Sequence, residues 1–329
     1  MFGPQCFGTA GFFLPDAPTM GSMNWTPLDD STCQLGESPF WHPDEQALYW
    51  LDIPARTVLR TRGDGSAMRI ERWPLPSEPG CMAPARSGGL VLALRDGIYR
   101  ARAWGGELQL LVRAEHDTRT MRFNDGKCDA QGRFWAGTIN EAKDRANAAL
   151  FCLDARGGRL PVFTQMANEA TTANGLAFAT DARRLYWADT AAHAVRAWDW
   201  DAAANTLSGE RTFARFEPKP AGWTPESAVP YDGRPDGATL SADGHYWVAM
   251  FEGAQVLRLD PTGAPVESLA LPAQCPTMPC FGGADLRTLF VTTAAKGRSD
   301  AERARLPYSG SVFSTRVATA GLPVHFFED

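Results

Sequence analysis

The sequence predicts an all-β protein, a six-bladed β-propeller with four antiparallel strands in each blade. The first observation is composition: the 329 residues are 44% hydrophobic and include 31 glycines and 24 prolines. Such a chain can bury a large core but must turn often, so many short strands fit better than long helices. The second is a hairpin pattern that recurs six times, and the third is the spacing of those repeats.

Each repeated hairpin combines a strand rich in small residues, a turn rich in Asp, Gly and Pro, and a second strand centred on Trp, Leu or Phe. The hairpins span residues 38–53, 81–94, 125–139, 175–190, 237–251 and 278–293. Their central residues, at intervals of 42, 43, 52, 60 and 43 residues, are Trp50, Leu92, Trp135, Trp187, Trp247 and Phe290. A four-stranded blade takes roughly 40 to 50 residues, so each hairpin marks one blade.

The residues between hairpins supply two outer strands per blade. Alternating or apolar-rich runs bounded by Gly, Asp and Pro indicate half-buried antiparallel strands. The predicted pairs are 57–62 with 68–73, 98–103 with 108–113, 149–154 with 161–166, 194–200 with 211–216, 255–260 with 265–271, and 311–317 with 322–327. We also expect residues 25–35 to pair with the last blade, because this closes the ring and removes a free edge.

We expect residues 24–329 to form one propeller domain and residues 1–23 to be a disordered N-terminal extension. The extension has no basic residue, and its longest apolar run is Phe12 to Leu14, so it lacks the pattern of a signal peptide. No stretch of the chain has the apolar length of a membrane span. The seven cysteines are odd in number and scattered, which favours reduced, buried thiols in a cytoplasmic protein.

The net charge and the absence of certain motifs limit the classes of molecule that the protein is expected to bind. The formal net charge is -6, without acidic or basic blocks, so nothing indicates a nucleic-acid footprint. The chain has no Gly-x-Ser-x-Gly elbow and no phosphate-binding Gly-Lys-Ser/Thr loop, which argues against a nucleophilic serine or a nucleotide site. We therefore expect a small-molecule substrate, with no membrane and no obligate protein partner.

Oxygen-bearing residues recur just before the first strand of the hairpins. If these strands line the channel and run the same way, the residues before them meet at one mouth. The six positions are Glu37, Gly80, Asn124, Asn174, Asp236 and Thr277. Two carboxylates and two carboxamides form an all-oxygen set, which hard divalent cations prefer. Asn-Gly and Asp-Gly pairs are also common in turns, but repetition at four equivalent positions favours a metal site.

Five segments carry a resemblance to a known family. They are LGESPFW (35–41), RFNDGKCDAQGRFWAGT (122–138), NGLAFATD (174–181), PDGATLSADGHYWVA (235–249) and FGGADLRTLFVTTA (281–294). From Cys33 to the C-terminus the chain resembles the regucalcin (senescence marker protein) and gluconolactonase family of sugar lactonases. The resemblance implies a six-bladed propeller with one divalent metal in its channel and hydrolysis of a sugar-acid lactone. The resemblance does not decide the identity of the metal among Ca²⁺, Zn²⁺, Mn²⁺, Mg²⁺ and Fe²⁺.

The resemblance also implies roles for single residues. Three of them would hold the metal, namely Glu37, Asn174 and Asp236. Asn124 would lie near the metal or a bound water and contact substrate, and Arg122 would bind substrate oxygens. A substrate-contacting Glu of the family falls at Ala142 here, so its role passes to the neighbouring Glu141 only through a one-residue shift in the loop.

The implied reaction leaves the base open. The metal would polarise the lactone carbonyl, and water would be activated either by Asp236 as general base or as metal-bound hydroxide. Two alternatives share the fold: a metal-dependent esterase or organophosphate hydrolase, and a non-enzymatic calcium-binding propeller. We expect the loops 140–147 and 217–235 to rim the pocket, the second as a lid or substrate wall.

Overall fold

The computed structural model describes residues 24–62 and 69–329. These residues form six four-stranded antiparallel sheets, which confirms the predicted six-bladed propeller. The predicted extension at residues 1–23, with Cys6, lies outside the described residues, and so does Met68 at the start of one predicted outer strand.

The strands follow one another blade by blade, after a short first strand, β1 (Thr26–Pro27). Blades one and two contain β2 (Gly36–His42), β3 (Ala47–Asp52), β4 (Thr57–Arg62), β5 (Glu71–Pro74), β6 (Pro79–Pro84), β7 (Leu90–Leu94), β8 (Gly97–Ala101) and β9 (Leu108–Arg113). Blades three and four contain β10 (Met121–Cys128), β11 (Phe134–Asn140), β12 (Ala148–Asp154), β13 (Val162–Ala170), β14 (Ala173–Phe178), β15 (Arg184–Asp189), β16 (Ala194–Asp201) and β17 (Thr206–Arg215). Blades five and six contain β18 (Arg234–Leu240), β19 (Tyr246–Phe251), β20 (Gln255–Leu259), β21 (Pro265–Ala270), β22 (Pro276–Gly282), β23 (Thr288–Thr293) and β24 (Phe313–Arg316).

The described residues contain little helix. A 3₁₀ turn occupies Arg156–Gly158, and the short helix α1 (Asp300–Arg305) follows the last hairpin. Within residues 24–62 and 69–329, no helix has the length and apolar character needed to cross a membrane.

The first full strand of every blade lines the central channel. These strands, β2, β6, β10, β14, β18 and β22, each occupy one edge of their sheet, and neighbouring members contact one another around the ring. Two of these strands approach closely at Gly80, where an added Cβ would lie 2.3 Å from the carbonyl carbon of Phe123. Only glycine therefore fits between β6 and β10, and the second blade contributes no side chain at this point.

The core lies between neighbouring blades and is centred on the second strands of the hairpins. The four hairpin tryptophans are at most 1% exposed. Trp135 shows the packing, because its ring lies edge-on at 5.5 Å from Phe178 and 6.1 Å from Trp200, both in the next blade. Truncating such a side chain to Ala costs about 3–5 kcal/mol. The cysteines of the described residues are all free and buried, as predicted: Cys33, Cys81, Cys128, Cys152, Cys275 and Cys280.

The sixth blade joins an early strand of the described residues to a late one. Thr26 of β1 pairs with Ser314 of β24, and the sheet order is β1-β24-β23-β22. This confirms that residues 25–35 close the ring. The prediction of a strand at 322–327 is wrong, because β1 already occupies the outer edge of this sheet and Pro323 has no N–H to donate to a ladder.

The C-terminal segment instead crosses the far end of the channel. Gly321 N donates to Leu286 O at 2.8 Å, and Phe327 N donates to Pro84 O at 2.8 Å. The segment thus runs from the sixth blade to the second. Its residues 322–325 form one wall of a cavity of about 100 Å³ that the ends of the inner strands complete. None of the predicted site residues lines this cavity.

Candidate active site at the open mouth of the channel

A β-bulge lies in every inner strand close to the predicted site residues. In β2, Glu37 pairs with Leu51 and Phe40 with Tyr49, so one extra residue lies between the two pairs. The same shift occurs in the other five inner strands. A bulge bends the strand and re-aims its side chains. At this mouth, it turns polar residues into the channel.

The bulges correct the prediction of four equivalent positions. Glu37 and Asn174 are the last paired residues before the bulge, whereas Asn124 and Asp236 lie within it, one step further along the strand. A one-residue slip in a regular strand would turn a side chain to the opposite face. The bulge breaks the strict alternation of side chains, so residues at both kinds of position can place their side chains at the same mouth of the channel.

Two local features hold the bulges after Glu37 and Asn174. Ser38 has φ 51° and Gly175 has φ 57°, a left-handed conformation that favours glycine. At Gly175 an added Cβ would lie 2.3 Å from Tyr246 Oη, and Tyr246 Oη donates to Gly175 O at 2.6 Å. Ser38 adopts the same conformation with a side chain, and its Oγ accepts from Met82 N at 3.1 Å.

A chain of hydrogen bonds joins three blades at this mouth. Arg122 Nη1 donates to Asn124 Oδ1 at 2.8 Å, and Asn124 Nδ2 donates to Asn174 Oδ1 at 3.0 Å. Asn174 Nδ2 donates to Thr190 Oγ1 at 2.7 Å, which donates to Pro235 O at 2.7 Å. Each amide Oδ1 accepts one of these hydrogen bonds and keeps one lone pair for a further partner. The structure therefore brings Arg122, Asn124 and Asn174 together, as predicted.

Glu37 and Asp236 are buried carboxylates that repel each other. Burial raises the pKa of Glu37 well above its usual range, and the negative charges of Asp236 and Asp125 raise it further. Burial also raises the pKa of Asp236 to about 8, and Asp125 adds to this shift. Neither carboxylate has an ion-pair partner among the described residues, since the nearby Arg122 and Arg234 face Glu141 and Glu252 instead.

This arrangement fits a bound cation. Buried carboxylates are normally paired or coordinate a metal, and an ion between Glu37 and Asp236 would remove the repulsion that raises their pKa values. The described residues contain no group of three or more His, Cys, Asp or Glu side chains placed to hold a metal. Two carboxylates with the amide oxygen of Asn174 would be an all-oxygen set that leaves coordination positions open.

Glu141 lies at the rim of the mouth, held by an arginine. Arg95 donates from Nη1 and Nη2 to the two oxygens of Glu141 at 2.8 and 3.0 Å. Arg122 Nε lies 3.7 Å from Glu141 Oε1. Glu141 therefore lies beside the buried Arg122, but contact with substrate stays a prediction.

Sequence reasoning missed two groups of residues near Asp236. Asp125 has one carboxylate oxygen, Oδ1, that is buried without a hydrogen-bond partner among the residues that the structure describes, while Oδ2 accepts from Leu176 N at 2.9 Å. Lys143 and Arg234 act electrostatically on Asp236 from the loop 140–147 and from the start of β18. Asp125 directly follows Asn124, so a bulge in the predicted strand would have revealed it, whereas the sequence gives no signal for Lys143.

The two predicted rim loops lie at this mouth. Residues 216–233 have no regular strand or helix and lead from β17 into β18. His193 Nε2 accepts from Lys219 N at 3.2 Å and lies 2.8 Å from Tyr231 Oη, and the Trp223 and Tyr231 rings meet at 5.0 Å. The loop is thus anchored to the fourth blade, and its role as a lid stays a prediction.

Comparison with known proteins matches this chain to one family and to individual relatives within it. A family model described as "SMP-30/Gluconolactonase/LRE-like region" matches residues 35–295. A 6-deoxy-6-sulfogluconolactonase of Pseudomonas putida is 40% identical over 290 residues, which cover 87% of this chain and 92% of that protein. The regucalcin of Xenopus laevis is 31% identical, covering 89% of this chain and 94% of the relative.

Solved structures give the same fold. A structure described as a calcium-binding protein, regucalcin, from Agrobacterium tumefaciens aligns with a TM-score of 0.82 at 22% identity. The alignment covers 94% of this chain and all of the other. The family match over most of the chain, the two curated relatives and the shared propeller lead to one conclusion: this chain belongs to the SMP-30/gluconolactonase/LRE-like family.

Proposed function

We propose that this protein hydrolyses a sugar-acid lactone to the aldonic acid in a metal-dependent reaction. The observation that carries the proposal is the pair Glu37 and Asp236, two buried carboxylates without a cationic partner in the described part of the chain. The relative named for a sulfogluconolactone, at 40% identity, supports the lactone as substrate class.

Glu37, Asn174 and Asp236 would hold the divalent cation. When bound, the ion supplies Lewis-acid polarisation of the lactone carbonyl. Asn124 keeps Asn174 oriented through the bond from its Nδ2 to Asn174 Oδ1 at 3.0 Å. Arg122 in turn fixes Asn124, and the remaining guanidinium hydrogens are available to hydroxyl or carbonyl oxygens of a sugar ring.

Asp236 is the proposed general base. It removes a proton from water as the water oxygen bonds to the carbonyl carbon. The bond from that carbon to the ring oxygen then breaks, and the ring oxygen takes the proton back from Asp236 to become a hydroxyl. Burial and the charge of Asp125 raise the pKa of Asp236 to about 8 even though Arg234 and Lys143 act to lower it, so a further positive charge, such as a bound cation, is needed to keep Asp236 ionised at neutral pH.

A pH-monitored screen of aldonolactones tests the proposal. The protein is first treated with a chelator and then assayed with single divalent metals added back. We expect loss of lactone hydrolysis on chelation and recovery with at least one metal. Full activity of the chelated protein would contradict metal dependence, and a protein that binds the ion but opens no lactone would be the non-enzymatic propeller.

A further inference from the structure

The interior of the channel, between the open mouth and the C-terminal segment, is a largely apolar cavity of about 100 Å³. All six inner strands line it. Most of its wall consists of apolar side chains, among them Phe40, Trp41, Met82, Phe178, Leu240 and Phe281. No acidic residue is among the described residues that line it. A ligand that fits this cavity therefore has an apolar body, and the wall offers it no negative charge.

Lys127 places one ammonium group in this cavity. It lies on β10, three residues after Asn124, and lines the cavity. Its Nζ reaches from the third blade to the fifth, where it donates to Ala238 O at 2.8 Å. An ammonium has three N–H donors, and Lys127 forms no further hydrogen bond and no ion pair with residues 24–62 and 69–329. Two donors thus remain for a ligand.

The charged and titratable groups around Lys127 do not neutralise it by direct contact. Burial lowers the pKa of Lys127, and the charge of Asp125 acts in the opposite direction. One Asp125 oxygen accepts from Leu176 N, and the other has no hydrogen-bond partner in the described part of the chain. His325 also lines the cavity, and burial lowers its pKa, so it is neutral at pH 7. A cation beside apolar walls is costly unless an anion joins it.

The C-terminal segment is the wall through which a small ligand can enter. Gly321 and Phe327 are held by backbone hydrogen bonds to Leu286 and Pro84. Residues 322–326 between them form no backbone hydrogen bond with any described residue. Backbone that lacks such bonds opens locally at a lower free-energy cost than the strands of a sheet. The cavity is therefore closed by the least restrained part of its wall.

We propose that this cavity binds a short-chain monocarboxylate, with the carboxylate on Lys127 Nζ and the hydrocarbon chain against the apolar wall. A hydrogen bond between an ammonium and a carboxylate is charge-assisted and stronger than a neutral one. Since a cavity of about 150 Å³ admits benzene, one of this size suits an acid of roughly four carbon atoms. A sugar acid does not suit it, because its hydroxyls would be buried without partners. The site is separate from the mouth and from lactone hydrolysis.

Calorimetric titration of the full-length, metal-loaded protein with butanoate and butanamide tests the site. The two probes have nearly the same size, but only butanoate is charged. At neutral pH and fixed ionic strength, we expect butanoate to bind about tenfold or more tightly than butanamide, the range for a hydrogen bond to a charged group. Lys127→Met should remove this preference. Lys296→Met is the matched control, because Lys296 is an exposed lysine on the loop after β23, and should keep it.

A second variant, Val324→Trp, tests the cavity while Lys127 is kept. Val324 lines the cavity from the C-terminal segment, so the larger side chain should fill it and lower butanoate affinity about tenfold or more. Titration of the chelated protein separates the cavity from the mouth, where a metal would also attract a carboxylate. Butanoate binding that survives chelation and is lost in both variants would support the site. Absence of binding, equal affinity for the two probes, or binding that chelation abolishes would overturn it.

Discussion

The two ends of the channel handle buried charge in opposite ways. At the far end, Arg133 is 1% exposed, yet its Nε donates to Asp129 Oδ2 at 2.7 Å and its Nη2 donates to Ala202 O at 2.9 Å. Asp129 Oδ2 also accepts from Trp135 Nε1 at 2.7 Å. At the open mouth, Glu37 and Asp236 are buried, and neither forms an ion pair with a residue in 24–62 or 69–329. Buried charges that have ion-pair and hydrogen-bond partners stabilise the fold, whereas buried charges without such partners indicate a ligand-binding site.

The largest expected effect comes from neutralising the open mouth. Glu37→Gln should lower kcat/KM for lactones about 100- to 1,000-fold or more, the range for loss of a key electrostatic group, together with metal content. The same change should raise the thermal midpoint of the chelated protein at neutral pH, because the amide is neutral and needs no proton to be buried beside Asp236. Kinetics, metal analysis and melting with a chelator measure this. A chelated variant that melts lower than the wild type would show that Glu37 has a structural role instead.

The second prediction concerns the far end. Arg133→Met should cost about 3–5 kcal/mol of unfolding free energy, because Asp129 would remain buried without its cation. Activity per folded molecule should be retained. Arg211→Met, which removes a surface pair with Asp199 at 2.8 Å, is the control and should cost about 0–1 kcal/mol. Urea unfolding of the wild type and the two variants measures these losses of unfolding free energy. Equal losses in Arg133→Met and Arg211→Met would show that the buried pair at the far end is worth no more than a surface pair.

A third prediction follows from the raised pKa values at the mouth. The folded pKa of Asp236 is about 8 and that of Glu37 is raised in the same direction, so the folded metal-free protein holds protons that the unfolded chain has released. Stability of the chelated protein should therefore fall as pH rises from the unfolded carboxyl pKa, about 4, toward 8. Urea midpoints across this range, with and without metal, measure it. The metal-loaded protein should not lose stability in this way.

The smallest expected effect concerns the loop over the mouth. Tyr231→Phe removes the contact between Tyr231 Oη and His193 Nε2 at 2.8 Å, worth about 0.5–1.5 kcal/mol. If the loop is a substrate wall, KM should rise about two- to tenfold, as that energy implies, with little change in kcat. Tyr308→Phe, at an exposed tyrosine of the sixth blade, is the control. A KM that matches the control would limit this contact to a structural role.

The number and position of the blades could be predicted from the sequence because each blade repeats the same pattern of residues. The buried anchors from Trp50 to Phe290 repeat at blade length, and all six are buried between sheets. The mouth residues could be located for a related reason, since inner strands that run the same way bring their first ends together. Glu37, Asn124, Asn174 and Asp236 all come to this mouth.

What the sequence did not reveal depends on breaks in periodicity. The bulges place Asn124 and Asp236 one residue out of step with Glu37 and Asn174, and a two-residue alternation cannot express such a shift. The C-terminal segment has the apolar composition of a strand, but the edge it would have joined is taken by β1, a segment nearly 290 positions earlier in the chain (Thr26 to Ser314). Lys143 lies in a loop held by hydrogen bonds from Asn140 to Asp144 and Asn147, which no local pattern encodes.

The sixth blade also has a consequence for the order in which the protein folds. Its outermost strand, β1, precedes the strand it pairs with, Phe313–Arg316, by nearly 290 residues. Five blades can assemble from local hairpins, but this pairing must wait for nearly the whole chain, and contacts of such separation form slowly. We therefore expect ring closure to be the final step of folding, after which β1 and β24 are held in one sheet.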